Sequence, residues 1–208
     1  IRLFVDELNS IPAWLYTNYP TTRLSVGGGL YCPNYKNATF QTKYRNMIAA
    51  LASWANGLSA VRKAKISHFE IGMGISGEAK QPYWTYNVWE DNGYTAADWE
   101  VYCKAIIDES YIDFAPNWYL CFLMQTWHNK TGDMNRDLFK TLYQYAAAKG
   151  PYMMIGWQGL KYDDDNWWFF TADDSGYGSY HGFLEYTMSP GATRYGQLEW
   201  YGWAKGGG

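Results

Sequence analysis

Five short apolar runs, residues 1–5, 66–73, 118–124, 152–157 and 195–200, recur along the chain, and each of the first three intervals between them holds one stretch of helical periodicity. Runs of this length that are hydrophobic on both faces suit strands of a covered parallel sheet. Strand, helix, strand at this spacing is a β/α pattern whose crossovers are right-handed. Two architectures compete, a closed (β/α)8 barrel and a doubly wound open sheet. The second loses its best marker, because Gly72-Met73-Gly74-Ile75-Ser76-Gly77 misses the Gly-x-Gly-x-x-Gly spacing by one residue.

The helical stretches carry their own signals. Over residues 39–58, Phe40, Tyr44, Met47, Ile48, Leu51, Trp54 and Ala55 recur at three- and four-residue steps and make one broad apolar face. A second helix opens at Thr95 with Asp98 three residues on, a capping-box-like start, turns Trp99, Tyr102, Cys103 and Ile106 inward and is expected to end near Ser110. A third begins after Gly132-Asp133 with Leu138, Leu142, Tyr145 and Ala146 on its face, and Lys149-Gly150-Pro151 supplies its stop. The 208 residues are enough for one compact domain, expected over 1–208.

Composition narrows the partners. Hydrophobic residues at 48% and a net charge of −3 exclude disorder and leave no basic stripe for a phosphate backbone, so no nucleic acid is expected. No apolar run approaches the roughly 20 residues of a membrane span, so no membrane partner is expected either. The chain opens on Ile1 inside an apolar run, which reads as a processed or partial chain. The unusual quantity is 12 Trp and 20 Tyr against 9 Phe, aromatics with a polar handle. Such rings serve as flat faces for sugars or as core packing whose N–H or O–H needs a partner. Three scattered cysteines allow one disulfide at most, and the run 163–165 of aspartates lacks the spacing of a calcium loop. The sequons at Asn37 and Asn129 are short patterns that recur by chance.

The segment from His68 to Trp84 is the most informative. An apolar run passes into small residues, then Glu78, then Gln81-Pro82-Tyr83-Trp84, which puts a carboxylate just beyond the carboxyl end of a strand. His68 and Glu70 share a face of that strand if it is regular, and a mutual hydrogen bond suits them as well as a catalytic role.

Glu70-Ile71-Gly72-Met73-Gly74-Ile75-Ser76-Gly77-Glu78 with Gln81-Pro82-Tyr83 resembles the segment of β-amylases that ends in their acid Glu after the fourth barrel strand. Ile11-Pro12-Ala13-Trp14-Leu15 with Tyr19-Pro20, and Leu30-Tyr31-Cys32-Pro33-Asn34 ahead of a helix, resembles family 42 β-galactosidases. Gly77 stands where those galactosidases have Asn before the acid Glu, and the cysteines of their zinc site are missing, so Cys32 reads as a buried thiol with no metal implied. Both families are (β/α)8 glycoside hydrolases, and the resemblance implies a TIM barrel, partial or incompletely represented because a typical barrel needs about 250 residues. It also implies a second carboxylate three strands on, where Glu199 falls at the end of the run 195–200, one residue before Trp200.

The expected activity is therefore that of a glycosidase, with Glu78 and Glu199 as catalytic carboxylates and no cofactor. Trp84, Trp127, His128, Gln158 and Trp168 are the expected substrate-binding residues, the tryptophans by stacking and the others by hydrogen bonds to hydroxyls. The alternatives are a non-catalytic carbohydrate-binding protein on the same scaffold and an open-sheet protein acting on something other than sugars. Retention of configuration is the expected outcome, which needs carboxylates about 5–5.5 Å apart. The expected location is extracellular or periplasmic, with the cytoplasm an open alternative.

Overall fold

The computed structural model describes residues 1–3, 11–27, 29–74, 77, 79, 81, 86–124, 135–160 and 196–200. Strand β1 (Arg2–Leu3) is followed by helix α1 (Ala13–Asn18), a 3-10 turn (Pro20–Thr22) and two strands, β2 (Arg23–Gly27) and β3 (Leu30–Pro33). Then come α2 (Ala38–Asn56), α3 (Ala60–Lys63), β4 (His68–Ile71), α4 (Tyr86–Asp91), α5 (Ala96–Phe114) and β5 (Tyr119–Met124). Helix α6 (Arg136–Ala147), β6 (Met153–Leu160) and β7 (Gly196–Trp200) complete the described elements.

The five apolar runs become five parallel strands in the order β1-β4-β5-β6-β7, while β2 and β3 pair antiparallel in a separate sheet. This corrects the TIM-barrel expectation: among the described residues no eight-stranded barrel forms. Closure requires enough tilted strands to bring the last back beside the first. Here β1 pairs with β4 and β7 pairs with β6, and the two outer strands do not meet. Part of the chain before β4 is spent on the β2–β3 pair, whose register shifts between Ser25 and Gly27, instead of on a further parallel strand. The strand order also differs from a doubly wound sheet, since it never reverses. Steps taken always in one direction by right-handed crossovers put the helices on one face. Accordingly α2 packs on α5, and α5 on α6.

Capping explains where the helices start. The Asn37 carboxamide oxygen accepts from the Phe40 amide at 3.0 Å, so this sequon asparagine serves as an N-cap. Thr95 and Asp98 form the expected capping box, and Asn135 caps α6 through the Leu138 amide. Helix α5 runs a turn beyond the expected end. The Ser110 hydroxyl donates back to the Ile106 carbonyl at 2.7 Å within the helix, and the stop is Ala115, which precedes Pro116 and takes up extended backbone. After α6, Gly150 sits at φ +118°, and a Cβ there would stand 3.0 Å from the Tyr111 hydroxyl.

The sheet carries buried residues on both faces. Phe69 and Ile71, Leu120 and Phe122, and Met153 and Ile155 join the core shared with the helices, Phe69 meeting Phe114 of α5 at 4.8 Å between ring centroids. The alternate residues Glu70, Cys121 and Leu123 are buried as well. Much of the aromatic excess is packing: Tyr35 lies 4.9–5.4 Å from the rings of Phe40, Trp89, Trp99 and Tyr102. Among the described residues no helix is long and apolar enough to cross a membrane.

Candidate functional site at the carboxyl end of the sheet

Beyond Ile71 the chain leaves the strand without leaving the core. Gly72, Met73, Gly74, Gly77, Ala79 and Gln81 are all buried. Such a segment must find partners for its backbone groups inside the protein, because water is excluded. The Tyr44 hydroxyl of α2 donates to the Gly72 carbonyl. From α5, the Tyr102 hydroxyl donates to the Met73 carbonyl at 2.9 Å, and the Trp99 indole N–H donates to the Ala79 carbonyl at 3.1 Å. The Gly77 amide closes on the Gly74 carbonyl at 3.1 Å, and the Ala79 amide reaches the Leu123 carbonyl of β5 at 2.9 Å.

Gly77 has φ +83°, a region that costs an L residue about 1–2 kcal/mol. The glycine singled out in the sequence is thus the one the backbone requires, and it directly precedes position 78. Burial pushes the phenols of Tyr44 and Tyr102 well above their ordinary range, so both hydroxyls keep their protons and act as permanent donors.

On β4, His68 and Glu70 share a face as alternation requires, with His68 Nε2 3.5 Å from Glu70 Oε1 and Ser67 Oγ 2.9 Å from His68 Nδ1. Glu70 is 7% exposed and lies in register with Arg2 on one side and Cys121 on the other. All three cysteines are buried thiols and none is in a disulfide, Cys32 among them. Among the described residues no group of three His, Cys, Asp or Glu side chains is placed to hold a metal ion.

Of the residues expected to act on substrate, Glu78, Trp84, Trp127, His128 and Trp168 lie outside the described residues. The backbones of Gln158 and Glu199 are register partners near the carboxyl ends of β6 and β7. Sequence reasoning took Tyr44, Trp99 and Tyr102 as apolar-face residues and missed their donor role. The available signal was their type: an inward Tyr or Trp brings one N–H or O–H into the core and must find an acceptor there. No protein-family model and no curated protein matches this chain.

Proposed function

We propose that the protein is a glycoside hydrolase that cleaves a glycosidic bond in an oligo- or polysaccharide, with Glu78 as general acid and Glu199 as the second carboxylate. The acid protonates the leaving oxygen, and the second group stabilises or traps the oxocarbenium-like centre. The observation that carries this reading is the Ala79 amide bond to Leu123. Position 78 follows strand β4 and Glu199 lies within β7, and the two strands are three places apart in the sheet. The bond sets residue 79 beside the end of β5, on the side where β4 pairs, so the two backbones stand about three strand spacings, roughly 14 Å, apart. Two glutamate side chains can bridge that distance to the roughly 5–9.5 Å separations that glycosidases use.

Glu78→Gln and Glu199→Gln, assayed on chromogenic glycosides, starch and galactan, test the reading. Each is expected to lose turnover by roughly 10²–10⁴-fold with thermal unfolding unchanged. Turnover within tenfold of the parent for both variants would overturn the assignment. A parent that binds oligosaccharides and hydrolyses none of these substrates would instead be a carbohydrate-binding protein. The anomeric configuration of the first-formed product, followed by NMR, separates retention from inversion.

A further inference from the structure

We propose that Tyr44, Trp99 and Tyr102 are positioning residues for the carboxylate at position 78, a role that rests on the hydrolase reading above. Their three donors come from two different helices and converge on carbonyls of one short segment, those of Gly72, Met73 and Ala79. Together with the Gly77 and Ala79 amides they hold the backbone on both sides of residue 78. The rings fill the core, and their polar tips do separate work. Trp118, a comparable core ring, donates to Asn56 Oδ1 at 2.9 Å and has no part in this segment.

A general acid transfers its proton to the glycosidic oxygen as the C–O bond breaks and the bonding electron pair moves onto that oxygen. The transfer depends on the carboxyl group standing within hydrogen-bond reach of the oxygen, so a slackened backbone is felt as lost proton transfer. A leaving group of low pKa departs without the proton and does not feel it. That difference separates positioning from general structural support.

Tyr102→Phe removes one hydroxyl and keeps the ring, with Tyr44→Phe as a second variant of the same kind. Tyr145→Phe, whose hydroxyl bonds Asp108 elsewhere on α5, is the control. With an alkyl or sugar leaving group, Tyr102→Phe is expected to lower kcat by about tenfold or more, since misplacements near 1 Å cost up to 10². With a 2,4-dinitrophenyl glycoside kcat/KM, which reports the bond-breaking step alone, should stay within about twofold of the parent. Amide exchange at Ala79 should quicken in Tyr102→Phe and Tyr44→Phe and stay unchanged in Tyr145→Phe. Unchanged exchange, or equal losses on both leaving groups, overturns the inference while Glu78→Ala still shows leaving-group selectivity. If Glu78→Ala itself shows no such selectivity, the hydrolase reading falls and the inference with it.

Discussion

Helix α5 uses tyrosine hydroxyls on two sides, and the two regions differ in what a hydroxyl is worth. Inward, Tyr102 donates to the Met73 carbonyl where both groups are buried. On the outer side, Tyr145 of α6 donates to both carboxylate oxygens of Asp108 at 2.8 Å, and Lys149 pairs with the same carboxylate. The Asp108 side chain is 41% exposed, so water replaces any partner it loses. Nothing replaces the donor of a buried carbonyl, which is then left with its full desolvation penalty. The same residue type thus fixes a backbone segment in one place and trims a helix–helix seam in the other.

The largest expected effect breaks the inner region outright. Trp99 is 1% exposed and carries both a ring packed on Tyr35 and Tyr102 and the donor to Ala79. Trp99→Ala is expected to destabilise by about 3–5 kcal/mol, read from denaturant unfolding. Tyr102→Phe sharpens the comparison by removing only the donor, at about 1–3 kcal/mol. Tyr145→Phe is expected to cost at most about 1 kcal/mol and to shrink in high salt, since its network includes an ion pair at a partly exposed carboxylate. Equal costs for the two Phe variants would remove the distinction.

An effect of similar size comes from the start of α5. The Asp98 carboxyl is raised by partial desolvation, but hydrogen bonds from the Thr95 hydroxyl and amide and the nearby Lys36 ammonium outweigh that and hold it below the ordinary carboxylate range. A depressed carboxyl contributes stability that is present above its unfolded pKa and lost as pH falls through its folded one. Thr95→Ala is therefore expected to cost about 1 kcal/mol at neutral pH, with the gap to the parent narrowing as the solution is acidified below the ordinary Asp range. Thermal midpoints of the two proteins across that pH range check the sign.

How much of this was legible in the sequence depended on whether the signal was local. The parallel strands announced themselves as apolar runs, and Thr95 with Asp98 marked the start of α5 to the residue. Gly77 ahead of Glu78 was visible as a departure from the galactosidase pattern, but its backbone requirement, φ +83°, was not. Barrel closure was not legible either, because apolar runs give the number of candidate strands and say nothing of whether the last meets the first. The β2–β3 pair was missed because Arg23 and Ser25 alternate with Leu24 and Val26, the pattern of a half-exposed strand and not a continuous apolar run. The donors of Tyr44, Trp99 and Tyr102 were hidden for a different reason. Their acceptors lie 20 to 29 residues away, and only packing brings them together.

The central claim is that the backbone around position 78 belongs to the core although it lies beyond the strand. Native-state amide exchange of the unmodified protein tests it at one atom, the Ala79 amide bonded to Leu123. The expected result is protection within about tenfold of the β5 amide of Leu120, which is itself bonded to the Tyr152 carbonyl. Exchange at close to the rate of an unstructured peptide, with Leu120 still protected, would contradict the account.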